Sequence, residues 1–208
     1  MSVMTPMDEH PHERDGLRRS GQAGSSLRTG IAAVALLTTT LAAPDNAGAA
    51  ISAQPDARVS FATAGPAGMK IVGSTSELSA ADDGQTVMVT VTLTHLSTGI
   101  DLRDKHMREK YLEVQTYPTA VLTASRAAFA FPTVGASRAG DPQGTVTLHG
   151  QTRPTQFHVS VTNDGGSYRI DATVHLNMHD YGITVPSYLG VTLKPDVDVD
   201  VHFTALDH

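Results

Sequence analysis

The stretch DVDVDVHF, Asp196–Phe203, decides the class of this fold. Val197, Val199, Val201 and Phe203 alternate with Asp196, Asp198, Asp200 and His202. Successive side chains of an extended chain point to opposite faces, so the stretch reads as a strand with one apolar and one wet face. The same period recurs upstream. Val87, Val89, Val91 and Leu93 alternate with Met88, Thr90, Thr92 and Thr94, and Phe157, Val159 and Val161 with His158, Ser160 and Thr162. The turn Asn163-Asp164-Gly165-Gly166 then leads into Tyr168, Ile170, Ala172, Val174 and Leu176, interleaved with Arg169, Asp171, Thr173 and His175, which makes the pair a hairpin.

Less regular strands are expected at Arg58–Ala64, Met69–Leu78, Ala120–Phe131 and Thr145–His149. The expected fold is therefore all-β, with about eight antiparallel strands, enough to close a barrel around one slender ligand and to remove unpaired edges. A two-sheet sandwich with a filled core has the same periodicity. One segment breaks the pattern, TGIDLRDKHMREKYLEV at Thr98–Val114. Thr98-Gly99 ends the preceding strand, and Asp101 is placed to cap a helix running to Val114, which suits a lid near one barrel end. Along one face of it Arg103, His106 and Lys110 fall at i, i+3 and i+7, as an anion-binding patch or a solvated charged face. Leu102, Met107, Tyr111, Leu112 and Val114 supply its apolar contacts.

The chain has 208 residues, no Cys, no Trp and a net charge of −6. Without cysteine there is no disulfide framework or thiolate zinc site, and the acidic balance argues against general nucleic-acid binding. Residues 1–49 read as a targeting segment: Arg14, Arg18, Arg19 and Arg28 precede the apolar run Ile31–Ala43, with Ala47-Gly48-Ala49 as a cleavage point. Arg18-Arg19 resembles a twin-arginine pair, but Ser20, Gly21 and Gln22 lack the bulky apolar residues such signals favour. The expected mature product begins near Ala50, is periplasmic or secreted, and has no stable membrane insertion, leaving 50–208 as one domain.

Chemistry is sparse. No phosphate-cradling glycine loop or Gly-x-Ser-x-Gly elbow occurs, so no catalytic residue and no cofactor is expected. His175 and His179 are four apart, but no third ligand completes a metal site. Asp196, Asp198 and Asp200 lie along one strand face instead of in a calcium loop. Asp180 falls in a tight Asp-Tyr-Gly turn, where such a residue usually bonds the turn backbone.

The helix segment followed by Tyr117-Pro118 resembles the signature region of the YceI-like family of bacterial envelope proteins. Val59-Ser60-Phe61, the hairpin GTVTLHGQTRP at Gly144–Pro154, NMHDYG at Asn177–Gly182 and Gly190-Val191 match in the same order. The family pattern has a His-Ser pair where this chain has Asp56-Ala57, an Arg where it has Met178 and more often Phe at Tyr181. The resemblance implies a lipocalin-like barrel holding a polyisoprenoid or other long-chain lipid, without turnover. On that reading Val87, Val89, Val91, Leu93, Phe157, Val159, Ile170, Val174, Val199, Val201 and Phe203 line the lumen. Tyr181 and Tyr188 form an amphipathic wall, and Arg103, His106 and Lys110 meet a head group. The rivals are an enzyme acting on an amphiphile in the same cavity and a stress-related interaction protein with a filled core.

Overall fold

A computed structural model describes residues 54–188 and 190–206; the expected targeting segment 1–49 lies outside the described residues. The strands are β1 (Arg58–Ala64), β2 (Lys70–Thr75), β3 (Leu78–Asp82), β4 (Thr86–Thr92), β5 (Thr119–Ser125), β6 (Ser137–Gly140), β7 (Gln143–Leu148), β8 (Gln151–Asn163), β9 (Ser167–Asn177), β10 (Ser187–Tyr188), β11 (Val191–Thr192) and β12 (Asp196–Leu206). Helix α1 (Asp101–His106) runs on through a wider turn, Met107–Tyr111.

Neighbouring strands pair antiparallel in the order β2-β1-β12-β9-β8-β7-β5-β4-β3. The two ends of this path, β2 and β3, are consecutive in the chain. One bent strand thus serves both sides of the seam, its first half bonded to β1 and its second to β4. Counted as one stave, it gives a nearly closed barrel of eight: β1, β2–β3, β4, β5, β7, β8, β9 and β12. At β8 the chain turns a second corner, Gln151–Gln156 pairing with β7 and Phe157–Asn163 with β9. The seam is stitched by Ser74 and Ser97, which exchange backbone hydrogen bonds of 2.8 and 3.0 Å, and by the Thr92 N–H donating to Glu77 O at 2.9 Å.

The expected single strand Met69–Leu78 is interrupted at Ser76-Glu77, because the chain must change neighbours there; the Thr75 hydroxyl accepts the Glu77 N–H inside the bend. Ala120–Phe131 is likewise strand only to Ser125. Arg126 bonds Gln85 O through its backbone and the buried Asp82 carboxylate through its guanidinium at 2.6 Å, and the resulting turn drops Phe129 into the core. Strands β6, β10 and β11 were not legible as alternating pattern, being four, two and two residues long.

The alternation of β12 holds in space. Val197, Val199 and Val201 face Leu176, Val174 and Ala172 of β9, on the lumen side, while the acids point outward and pair across the strands. Asp196 accepts from Asn177, Asp198 bonds His175 and Asp200 accepts from Thr173, at 2.8 to 2.9 Å, and His202 bonds Asp171 at 2.7 Å. The hydrogen bond to Asp198 is the main reason the His175 imidazole titrates above its ordinary range; partial burial opposes it and the charges of Asp198 and Asp196 reinforce it. A charged outer wall around an apolar lumen is the inverse of a lipid-spanning barrel, whose apolar band faces out.

Burial is graded along the barrel axis. Phe157, Val161, Ile170, Phe203 and Ala205 are almost wholly withdrawn from water at one end, joined by Phe129, Phe131 and Tyr168 with ring centroids 4.9 to 6.0 Å apart. Of the five phenylalanines in the chain, four gather here. Toward the other end the lumen face of β12 carries only valines, and they are half-buried.

Candidate ligand cavity and its mouth

Sending four of the five phenylalanines to one end leaves the other walled mostly by branched aliphatics and alanines, with the rings of Phe61, Tyr111 and Tyr181 at its border. The result is a cavity of about 800 Å³, within the range of roughly 300 to 1,000 Å³ typical of small-molecule sites. Val59, Val89, Val91, Ala120, Ala172, Val174, Val199 and Val201 form its walls, with Phe129, Ile170 and Phe203 toward the closed end. The helix, Met69, Ile71, Met178, Ile183, Val191 and Leu193 ring the mouth.

The helix is held over the barrel by a carboxylate. Ile100, not Asp101, occupies the cap position, in extended conformation and without a side-chain cap. The preceding loop is tied to the helix instead by Asp104, 4% exposed, which accepts from the Ser97 hydroxyl at 2.5 Å, the Thr98 N–H at 2.7 Å and the Thr98 hydroxyl. Burial by itself would raise the Asp104 carboxyl. The hydrogen bonds from Ser97 and Thr98, with the charge of Arg108, outweigh it and hold the group below its usual range. Arg108 also donates to Leu96 O at 3.1 Å.

The far end of the helix differs from the expected Val114. Its last turn bonds Leu112 N–H to Met107 O, five residues back, and Glu113 then takes a left-handed conformation at φ 46°. Val114 N–H turns back to Arg108 O, and the side chain joins Leu93 and Leu96 in a second apolar cluster. Burying Val114 there is incompatible with one more helical turn.

Arg103, His106 and Lys110 all border the cavity at the mouth. Arg103 spends two donors on Thr98, Nε to the hydroxyl at 2.7 Å and Nη2 to the carbonyl at 3.0 Å, which fixes its guanidinium at the rim. Lys110 lies 5.2 Å from the centre of the Tyr111 ring. Of the other expected residues, Val89, Val91, Leu93, Ile170, Val174, Tyr181, Val199, Val201 and Phe203 border the cavity. Val87, Phe157 and Val159 do not: they are consumed in the packed core, at 1, 2 and 2% exposure. The Tyr188 side chain lies outside the described residues. Sequence reasoning missed the mouth-forming Met69, Ile71, Ile100, Ile183 and Leu193, which sit in loops or short strands without period; their only signal was being apolar beside turn residues.

The late turn is held by Asn177, whose side-chain oxygen accepts the His179 N–H at 3.0 Å, and Asp180 contributes its backbone carbonyl to Arg153 at 2.9 Å. That corrects the expected turn-bonding role of the Asp180 side chain. Gly182, at φ 66°, closes the turn and leaves Tyr181 buried against the lumen. The β7–β8 hairpin is anchored next to it. His149 Nδ1 meets Tyr181 O at 3.1 Å, and Tyr117 covers the turn so closely that a Cβ at Gly150 would lie 2.8 Å from its ring.

An eight-stave barrel with a packed end, a hollow apolar end and a helix across the mouth is the architecture of a lipocalin-like binding protein. Residues 53–205 match the model of the YceI-like domain, and the chain belongs to that family. A UPF0312 protein of Pseudomonas putida strain W619 is 33% identical over 105 residues, 47% of this chain and 52% of that protein. A UPF0312 protein of Pseudomonas syringae pv. tomato is 33% identical over 102 residues, 46% of this chain and 50% of its own length. The chain thus spans about half the length of the curated relatives it matches. Among solved structures, a polyisoprenoid binding domain from Saccharophagus degradans, implicated in plant cell wall breakdown, aligns with TM-score 0.65 at 18% identity, covering 76% of this chain and 99% of that one. BcnA of Burkholderia cenocepacia aligns with TM-score 0.57 at 17% identity, covering 72% and 96%. Both likenesses concern the fold.

Proposed function

We propose that the protein is an exported carrier that holds the tail of a polyisoprenoid or similar long-chain lipid in the barrel lumen. The observation that carries this reading is the cavity itself: about 800 Å³ of aliphatic lumen opening at one end, where Arg103, His106 and Lys110 stand. Each methylene buried there contributes roughly 0.8 kcal/mol. A charge-assisted hydrogen bond from Arg103 to an anionic head group adds about 1.5 to 3 kcal/mol. Tail length therefore sets affinity, and the rim cations tune selectivity. The polyisoprenoid-binding neighbour supports the choice of lipid class, and the order of arginines, apolar run and small residues before Ala50 supports export.

Native mass spectrometry of the purified protein, with solvent extraction of what it carries, tests the carrier reading. A stoichiometric long-chain lipid that leaves unchanged on extraction is expected. A chemically altered lipid produced on incubation would favour an enzyme in the same cavity, and protein that takes up no lipid would favour an interaction protein. N-terminal sequencing of processed protein tests export, with a new end near Ala50 expected and an intact Met1 opposing it.

A further inference from the structure

The chain contains four lysines, Lys70, Lys105, Lys110 and Lys194, and the fold gathers all of them at the mouth. Lys105 and Lys110 lie on the helix that borders the cavity. Lys70 stands opposite Ala64 in the β1–β2 register, and Lys194 N–H donates to the Ala64 carbonyl at 2.7 Å, so both flank the rim end of β1. All four are exposed. Among the described residues, the Arg and Lys side chains that form ion pairs with carboxylates are Arg126 and Arg169, both elsewhere.

Large apolar side chains are exposed on the same rim. Met69, Ile100, Leu102 and Val191 are 41, 52, 65 and 39% exposed, and each borders the cavity. The other exposed large apolar residues described, Val72, Met88 and Val134, lie off the cavity. The acids on the helix are Asp101, Glu109 and the sequestered Asp104, against Arg103, Lys105, Arg108 and Lys110. A chain of net charge −6 thus keeps its lysines for one apolar rim, which also carries Asp196 two residues from Lys194, while its outer wall further along carries Asp171, Asp198 and Asp200. Lysine stems lie along apolar surface with the ammonium in water, the arrangement that suits a bilayer interface, and lysines near anionic head groups are attracted to them.

We propose that the mouth docks on an anionic lipid bilayer, with Ile100 and Leu102 entering the acyl boundary and the lysines on the head groups. The lumen then opens directly onto the membrane, and a lipid tail passes between them without crossing water. The docking adds a partner to the carrier reading and does not depend on which lipid the cavity holds.

The chain has no cysteine, so Leu102→Cys and Val134→Cys each create a single labelling site. Val134 lies beside the Gly165 turn between β8 and β9, at the closed end of the barrel, and is 73% exposed. Each full-length variant, carrying a polarity-sensitive fluorophore, is mixed with phosphatidylcholine vesicles made with and without phosphatidylglycerol. No isoprenoid is present, so the outcome is separate from that of the carrier test. A blue shift at position 102 on the anionic vesicles, with none at 134, is expected. Lys70→Glu with Lys105→Glu, neither of which borders the cavity, should weaken vesicle affinity by about tenfold or more, since each cation near an anionic surface counts for roughly fivefold. Equal shifts at both positions, no shift at either, or vesicle affinity indifferent to the charge reversal would each overturn the proposal. A shift at 102 that rises with protein concentration and needs no vesicles would assign the rim to a second copy of the chain instead.

Discussion

Asp104 is the residue on which the position of the helix depends, because one withdrawn carboxylate accepts from the hydroxyls of Ser97 and Thr98 and from the Thr98 N–H. Asp104→Asn is expected to cost roughly 1 to 3 kcal/mol at neutral pH, as the charge-assisted bonds are lost. Its folded-state pKa is lowered, so this stabilisation is present above the unfolded carboxyl value, about 3.9, and disappears as pH falls through the lower folded value. Urea unfolding of parent and variant should therefore differ most at pH 7 and converge in acid; a gap that is constant with pH would remove the carboxylate from the account. At the two ends of β12, Phe203→Ala is expected to cost about 3 to 5 kcal/mol. Val199→Ala, beside an existing void, should cost roughly 1 to 2. Equal shifts would mean that the barrel is filled along its length. The sequence distinguished the faces of β12 but not its depth: Val199 and Phe203 occupy equivalent positions in the alternation, and only the gathering of Phe129, Phe131 and Tyr168 around Phe203 separates floor from lumen.

Among the elements, long strands were legible and corners were not. β9 and β12 are eleven residues long and alternate over nearly their whole length, enough to fix faces; the pairing of β12 with β9 is a long-range fact. The bend between β2 and β3 has no period, and its cause is two hydrogen-bonding partners on different sides, a long-range fact that local sequence does not carry. Gly73 is the residue at that seam with the least freedom: a Cβ there would sit 2.3 Å from the Phe61 ring and 2.9 Å from Ser97 O. Gly73→Ala is expected to push Phe61 off β2 and loosen the Ser74–Ser97 bridge, costing about 1 to 3 kcal/mol by overpacking. Amide exchange would read it as faster opening at Ser74 and Ser97, with β8 and β9 unaffected; uniform loss of protection would place the effect in the whole barrel. The helix was legible as an element, yet its cap and its end were not, because Asp101 and Asp104 are equivalent by composition and only Asp104 faces the loop 97–98. Spacing put Arg103, His106 and Lys110 on one face; that all three border the cavity is visible only in the fold.

At the scale of the molecule the barrel divides its labour: four phenylalanines and Tyr168 pack one end, and a mostly aliphatic wall leaves the other hollow under a cationic helix. The measurement that tests it most directly is a calorimetric titration of the protein with isoprenoid alcohols and their diphosphates of rising length, repeated with Arg103→Ala and with Val201→Trp, which places an indole in the lumen. Affinity is expected to tighten with each added unit until the lumen is full, with the negative heat-capacity change of apolar burial. Arg103→Ala should weaken the diphosphates alone, and Val201→Trp should weaken long tails more than short ones. Affinity that does not depend on tail length, or no binding at any length, would contradict the lumen as the lipid site.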